Sequence, residues 1–412
     1  MERLDDGATD LRSGQSLWSA LRPPGVETRA VKSGERLDAD VVIVGAGITG
    51  AFLAERFTRA GRSVLMIDRR KPAKGSTAAS TAMLQWELDA PFLELEDRLG
   101  FDNARGLCVQ SRGAIATIGR LVRDNAIACG FAPRPSIFLA GEEMDAAGLR
   151  EERRLRGHMG VEGDYAERPG MALLGFEAEA GLMYEGSAEV DPMLLALGLL
   201  RTAVRRGATI LSPVTAERYD SDAGGVFVTT REGALVTGRT LVLANGYEIP
   251  EFVPASAHKI TSSWALATRP VSPDLFWPGR ALVWEGAEPY LYFRGAADGR
   301  IVVGGEDEET PDAEARDALT AVKTEAILAK LAARYPALAG VEAEYSWSGF
   351  FGETSDSLPM IGRVPGRPNC LAAFGYGGNG ITFSAIAADM LEAELAGERH
   401  PNADLYALDR SA

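Results

Sequence analysis

Apolar runs and a helical pattern alternate where the regular part of the chain begins. Residues 41–44 are a run of mostly β-branched side chains, which predicts a buried strand. Phe52, Leu53 and Phe57 follow with helical spacing, and residues 64–67 form a second apolar run. The order strand, helix, strand predicts a βαβ unit with parallel strands.

Further along, helical spacing appears through Phe92, Leu95 and Leu99, and a helix opens at Asp191-Pro192. Residues 257–306 alternate aromatic and polar positions and predict a meandering antiparallel sheet, followed by a helix over 312–335. The remaining predicted elements are strands at 136–139, 181–184, 208–211, 239–246 and 370–374, a hairpin of 226–229 with 234–237, and a closing helix from Ile381. Residues 1–37 have little periodicity, so we expect them to lie on the surface before the first strand.

The first turn of the βαβ unit has the dinucleotide-binding pattern Gly45-x-Gly47-x-x-Gly50, and Asp68 ends the second strand. Gly45 permits the tight turn, Gly47 lets the backbone approach a pyrophosphate, and Gly50 lets the helix pack on the strand. Ile48 and Thr49 begin the helix whose N-terminus favours phosphate. The acid is expected to bind a ribose hydroxyl, and the basic residues Arg69 and Arg70 lie near that ribose or the phosphates.

Three other segments are rich in small residues and allow close backbone approach to a flat or charged group. They are the loop with Ser76, Thr77, Ala79 and Ser80, the turn Ala244-Asn245-Gly246 after a buried strand, and Gly377-Gly378-Asn379-Gly380-Ile381-Thr382 before the last helix.

Composition limits the possible partners. The 412 residues carry a net charge of −15, which argues against a nucleic-acid surface or an anionic membrane. The length favours two or three domains. The three cysteines lack a pairing pattern, and the three histidines lack ligand spacing, so neither a disulfide framework nor a metal site is predicted. No secretory signal or membrane-length apolar run is evident, and we expect a cytoplasmic protein.

Five separated motifs together resemble the D-amino-acid oxidase superfamily of FAD enzymes, which includes glycine oxidase and γ-glutamylputrescine oxidase. They are the glycine fingerprint, the 76–81 loop, the 241–246 strand, Trp347-Ser348-Gly349 with 354–362, and the 375–382 turn and helix. The resemblance covers residues 38 to 395. Ser16-Leu17-Trp18 is similar to the γ-glutamylputrescine oxidase branch.

The resemblance implies an α/β fold in which a discontinuous Rossmann-type FAD-binding domain carries an inserted, mainly antiparallel α+β substrate domain. The FAD-binding domain would comprise 38–90, 186–256 and 345–400, and the substrate domain 91–185 and 257–344. Residues 1–37 would be an N-terminal extension.

The resemblance also implies cofactor contacts. Val214 would meet adenine, and Gly349 would lie near the cofactor, as would the residues of the small-residue segments. The helix N-terminus at 377–382 would stabilise negative charge at flavin N1 and C2=O, with Thr382 adding a hydroxyl donor. Covalent branches have a cysteine in the segment near Phe351, and none occurs between Cys129 and Cys370, so noncovalent FAD is expected.

For the substrate, the resemblance implies that Arg294 clamps a carboxylate bidentately. Glycine oxidase has a further arginine in the segment matching 350–353, whereas this chain has Phe350-Phe351-Gly352-Glu353. This departure makes glycine a doubtful substrate and suggests that Glu353 receives a distal cation. Tyr292, Trp264, Trp347 and Phe351 are candidate pocket walls, and Lys259 and His258 are candidate bases.

We therefore expect an oxidoreductase that oxidises the C–N bond of an amino acid or amine by hydride transfer to flavin N5, followed by imine hydrolysis. Oxygen and a quinone remain alternative electron acceptors. A 2-hydroxy-acid or polyol-phosphate dehydrogenase of the same superfamily is an alternative, as is a flavoprotein module of a tRNA-modification system. The net negative charge of the chain argues against a phosphate-bearing substrate and against tRNA as a partner. A chain that only stores or senses flavin is the non-enzymatic alternative.

Overall fold

A computed structural model describes residues 2–4, 10–254, 258–310 and 312–410. Residue 257, where the predicted antiparallel segment begins, and parts of the N-terminal extension lie outside these ranges. The strands are β1 Glu2–Arg3, β2 Arg12–Gly14, β3 Arg36–Val44, β4 Val64–Ile67, β5 Met83–Leu84, β6 Ala132–Leu139, β7 Asp164–Glu167, β8 Ala180–Glu189, β9 Thr209–Leu211, β10 Ala216–Asp222, β11 Gly225–Thr230, β12 Leu235–Leu243, β13 His258–Thr268, β14 Leu282–Glu285, β15 Leu291–Gly295, β16 Ile301–Glu308, β17 Ala343–Thr354, β18 Met360–Arg363 and β19 Cys370–Phe374. The α-helices are α1 Leu17–Ala20, α2 Ile48–Arg59, α3 Phe92–Leu99, α4 Phe101–Asp124, α5 Ala146–His158, α6 Arg168–Leu173, α7 Pro192–Arg205, α8 Ala313–Ala318, α9 Thr320–Arg334 and α10 Gly380–Leu395.

The first sheet has a parallel centre in the order β9-β4-β3-β12-β19. The strands β10 and β11 extend it as an antiparallel ribbon beside β12. Helix α2 packs against α7 and α10, and these helices bury the apolar face of the parallel strands. Because β3, α2 and β4 form the predicted βαβ unit, the carboxyl ends of the parallel strands meet at one edge.

The second sheet is mainly antiparallel, in the order β2-β17-β13-β16-β15-β14-β6-β8-β5. The predicted meander is present as β13, β15 and β16, although β14 pairs in parallel with β6. The helix predicted over 312–335 is instead the two helices α8 and α9, and Ile327 and Leu331 of α9 pack on this sheet. The α/β class is confirmed, and the proposed domain boundaries stay a prediction.

The expectation that residues 1–37 lie on the surface is wrong for the described segment 10–20. Leu11, Leu17 and Trp18 are buried, and β2 pairs with β17 of the second sheet. Leu17 and Trp18 pack with Met193 of α7 in a small apolar cluster. The segment is too short to show a period, and its apolar residues pack against elements far away in the sequence, so the sequence did not reveal this burial.

Candidate active site

A cavity of about 920 Å³ lies where the carboxyl ends of β3, β4, β12 and β19 face the second sheet. This edge of a parallel sheet is the usual ligand site of such folds. The predicted site residues that line it are Gly45, Gly47, Ile48, Thr49, Asp68, Arg69, Arg70, Ser76, Thr77, Ala79, Ser80, Ala244, Asn245, Gly246, Trp264, Tyr292, Gly349, Phe351, Gly377, Gly378, Asn379, Gly380 and Ile381. Gly50, Val214, Thr382 and Arg294 do not line the cavity.

The fingerprint glycines have the geometry that the sequence predicts. Gly45 has φ +111°, and a Cβ there would collide with the carbonyl of Ala244. A Cβ on Gly50 would collide with the carbonyl of Gly45, so this residue permits the close approach of α2 rather than touching a ligand. Gly47 is the N-cap of α2, and the helix N-terminus faces the cavity, where Thr77 accepts the first free N–H, that of Ile48, at 2.9 Å.

At the adenosine end, Asp68 accepts the N–H groups of Ala46 and Arg70, each at 2.7 Å. Burial raises the pKa of Asp68. Arg69 and Arg70 both pair with Glu248, at 2.6 and 2.7 Å. The assignment of Val214 to adenine is not supported, because its side chain lies in the core. Thr215 and Ala216, the next two residues, line the cavity instead.

The C-terminal turn meets an acid that sequence reasoning missed. Asp89 accepts the N–H of Gly378 at 2.7 Å and the side-chain amide of Asn379 at 3.1 Å. Gly377, with φ +56°, brings the turn against this carboxylate. The hydroxyl of Thr382 donates to the carbonyl of Gln85 at 3.2 Å and is not directed at the cavity, contrary to expectation. No sequence pattern distinguished Asp89, since its partners lie almost three hundred residues away.

Arg294 is not a carboxylate clamp in this structure. It is 2 % exposed, and its guanidinium donates to the carbonyls of Thr81, Gly295 and Val190 at 2.8, 3.0 and 2.9 Å. Glu189 lies 3.5 Å away as its counter-ion. The strand assignment was right, and Arg294 shares a face of β15 with Tyr292, but its guanidinium is taken up by backbone carbonyls and does not line the cavity.

The other pocket candidates do face the cavity. Tyr292 on β15, Trp264 on β13, and Trp347 and Phe351 on β17 all line it. Trp264 is also a core residue, since it is 1 % exposed and its indole donates to the carbonyl of Arg316 at 3.2 Å. Tyr290, which sequence reasoning did not select, lines the cavity as well and donates to Asp307 at 2.6 Å.

Neither candidate base is placed in the cavity lining. Lys259 is half exposed and pairs with Glu309 and Glu353, at 2.7 and 3.2 Å. Burial lowers the pKa of His258, which favours its neutral form.

The part of the cavity beyond the nucleotide end is acidic. Its carboxylates are Asp89, Glu94, Asp97, Glu143, Glu285, Glu288 and Glu353. Glu285 is neutralised by Arg334, and Glu94 lies 3.5 Å from Arg98. Among the residues that the structure describes, the only lysine or arginine side chains that line the cavity are Arg69 and Arg70, at the nucleotide end. No described group of histidine, cysteine, aspartate and glutamate has the geometry of a metal site.

The fold and cavity define a dinucleotide-dependent oxidoreductase in which residues from both the N-terminal and the C-terminal parts of the chain line the cofactor cavity. Glycines at which a Cβ would collide, a helix N-terminus and the acid Asp68 fit the adenosine and pyrophosphate of FAD, and the 377–381 turn fits the flavin end.

Comparisons with known proteins identify the family. The family model described as FAD dependent oxidoreductase, DAO, matches residues 40–394, and the chain belongs to that family. A probable oxidoreductase OrdL from Rhizobium meliloti is 27% identical over 89% of this chain and 85% of its own length. The γ-glutamylputrescine oxidoreductase of Escherichia coli is 24% identical over 88% of this chain and 85% of its own.

The crystal structure of glycine oxidase from Geobacillus kaustophilus superposes with a TM-score of 0.77 at 21% identity, covering 91% of this chain and all of that one. The protein is an oxidoreductase with FAD as its cofactor. No described helix has the length and apolar character needed to cross a membrane.

Proposed function

We propose that this enzyme oxidises the C–N bond of a cationic amine. The observation that carries the proposal is the charge of the substrate end of the cavity, where carboxylates face the space and the described lining has no lysine or arginine. A carboxylate or phosphate on the substrate would be desolvated there beside like charges. An ammonium group would be attracted.

When bound, the flavin would supply the chemistry by accepting a hydride from the carbon next to the reacting nitrogen in its neutral form, and water would hydrolyse the resulting iminium to a carbonyl compound and an amine or ammonium. The protein orients the substrate. Tyr292 and Phe351 provide walls that exclude water, and Asp89 and Glu353 provide the anionic end. Glu353 also accepts the hydroxyl of Thr261 at 3.0 Å, which fixes its carboxylate at the cavity wall.

The negative charge at the substrate end of the cavity argues against the alternative substrates, which carry a carboxylate or a phosphate. A 2-hydroxy acid or polyol phosphate needs a cation at the substrate end, and the guanidinium of Arg294, the only cation proposed from sequence, is occupied by backbone carbonyls and Glu189. An α-amino acid needs that cation too, unless a second, distal ammonium offsets its carboxylate. The relative named γ-glutamylputrescine oxidoreductase is consistent with a substrate that contains an amine chain.

A substrate panel tests the function. The purified holoenzyme is mixed anaerobically with 1,4-diaminobutane, γ-glutamylputrescine, simple monoamines, glycine, D-alanine and glycerol 3-phosphate, and bleaching of the flavin band is followed. We expect the amines that carry a net positive charge to reduce the flavin fastest. Oxygen uptake and reduction of a quinone analogue then distinguish the acceptors. If none of these compounds bleaches the band while dithionite does, the proposed reaction is wrong.

Removing one charge tests the role of the acidic end. Glu353→Gln should raise KM for the best cationic amine about fivefold, because a partly exposed charge pair contributes about 1 kcal/mol. Glu309→Gln is the matched control, since Glu309 pairs with the same Lys259 but does not line the cavity. If the two substitutions changed KM equally, the assignment of a positive charge to the substrate would be contradicted. The same would follow if glycine reduced the flavin faster than any cationic amine did.

A further inference from the structure

Three consecutive carbonyl groups of one loop are each held by a buried side-chain donor. The loop, residues 75–82, lines the cavity and is called the cofactor loop here. The indole of Trp347 donates to the carbonyl of Ala79 and the indole of Trp18 to that of Ser80, both at 2.7 Å. The Nε of Arg294 donates to the carbonyl of Thr81 at 2.8 Å.

The three donors come from separate elements, namely β17, α1 and β15. Each donor side chain is at most 4 % exposed, so its hydrogen bond to the loop is made inside the protein, and losing the donor removes a bond that holds one carbonyl in a fixed direction. The guanidinium of Arg294 also lies 5.3 Å from the ring centre of Trp18, so two of the donors support each other.

The bonds determine which edge of the loop faces the cavity. A planar trans peptide directs its N–H opposite to its C=O. Holding the carbonyls of Ala79 and Ser80 at the tryptophans therefore turns the N–H groups of Ser80 and Thr81 away from them. Both residues line the cavity, where backbone N–H groups suit an electron-rich cofactor.

The N-terminal segment holds the loop at a second point. Arg12, in β2, donates from its Nε to the carbonyl of Lys74 at 3.2 Å, just before the loop begins. Leu11 lines the cavity, and its carbonyl accepts the N–H of Phe350 at 2.9 Å. Segment 10–20 thus contacts both ends of the cofactor loop and the second sheet.

We propose that Trp18, Trp347 and Arg294 are positioning residues that fix the orientation of the cofactor loop, and that segment 10–20 is thereby part of the FAD site. Removing an indole N–H lets the loop peptides rotate, so the cofactor is held less tightly and its surroundings change. This role does not depend on the identity of the substrate.

The experiment uses the holoenzymes of Trp18→Phe and Trp347→Phe, which keep an aromatic ring but lose the donor. We expect FAD to leave each diluted holoenzyme roughly fivefold to tenfold faster than from the wild type, as the loss of one buried hydrogen bond implies. The readout is recovery of free-flavin fluorescence. The visible absorption of the bound flavin and its reduction potential should shift too, which a loss of stability elsewhere would not cause.

Trp277→Phe is the matched control. Trp277 is equally buried, and its indole donates to the carbonyl of Ala281 at 2.8 Å, outside the cavity lining. Arg12→Met is a further variant at a partly exposed position, suited to the case in which a tryptophan variant does not fold, and it should also release FAD faster. If the variants that fold released FAD at the wild-type rate and kept the wild-type flavin spectrum, the proposal would be overturned. It would also be overturned if Trp277→Phe accelerated FAD release equally.

Discussion

At the scale of single residues, Asp89 is a titratable group of the site that no sequence motif identifies. Its carboxylate is exposed to the open cavity, but the protein packed around that cavity partly desolvates it and raises its pKa to about 6. The N–H of Gly378 opposes this rise, and the charge of Glu353 adds to it. Asp89 is therefore anionic above about pH 6 and neutral below.

Protonation of Asp89 should weaken the binding of a cation whose own charge does not change with pH. A quaternary ammonium such as tetramethylammonium should inhibit amine oxidation about fivefold more weakly at pH 5 than at pH 7.5, because the protonated carboxyl no longer attracts it. The inhibition constant is measured across that range. Asp89→Asn should bind the probe weakly at every pH.

Asp307 provides the control for that experiment. Its pKa is also raised to about 6 by burial, but it accepts the hydroxyl of Tyr290 and does not line the cavity. Asp307→Asn should keep the wild-type pH dependence. If the pH dependence of the inhibition constant disappeared in Asp307→Asn and persisted in Asp89→Asn, the titration would belong to Asp307 and not to Asp89.

Arg294 shows where residue-level reasoning from sequence fails. Its presence on a strand of the aromatic sheet was predictable, but the partners of its guanidinium were not. A period of two places Arg294 on the same face of β15 as Tyr292, which lines the cavity. The guanidinium nevertheless donates to the carbonyls of Thr81, Gly295 and Val190, and those partners come from segments that no local pattern connects to β15.

At the scale of elements, the βαβ unit was predictable because its constraints are local. The apolar runs, the glycine spacing and the terminal acid all act within thirty residues or so. The predicted helix over 312–335 begins after its cap Asp312, but it is interrupted at Leu319, which ends α8 and precedes α9. The parallel pairing of β14 with β6 joins residues far apart in sequence, and no local pattern reports such a pairing.

The N-terminus of α2 allows an element-scale test. Thr77 accepts the N–H of Ile48 at 2.9 Å and so caps the helix from another segment. Thr77→Val should lower the free energy of unfolding by about 1 kcal/mol, because that N–H loses its partner. The urea midpoint measures the change.

Thr58→Val is the control on the same helix. The hydroxyl of Thr58 donates to the carbonyl of Ala54, which remains within the helical hydrogen-bond pattern after the substitution. The expected loss is smaller. A midpoint shift in Thr58→Val as large as that in Thr77→Val would mean that buried volume and polarity, rather than the cap, determine the effect.

At the scale of the whole molecule, both sheets and both ends of the chain build one cavity. Gly45 and Asp68 come from the first sheet, Tyr292 and Gly349 from the second, and Gly377 from the C-terminal turn. The sequence indicated that distant motifs share a cofactor, because each motif has its own local signature. It did not indicate the contribution of Leu11 and Trp18, whose role depends on packing against distant residues.

Because these parts line one cavity, a cofactor that fills it would contact both sheets, and its binding should stabilise the entire chain. At a free FAD concentration of about 100 times Kd, the gain is about 2.7 kcal/mol, and the thermal midpoint should rise with each further increase in concentration. FMN lacks the adenosine half that Asp68, Thr215 and Ala216 would hold, so it should raise the midpoint much less at the same concentration. Differential scanning of the apoprotein with each flavin measures this. An equal rise with FMN would show that the adenosine end of the cavity contributes nothing to cofactor binding.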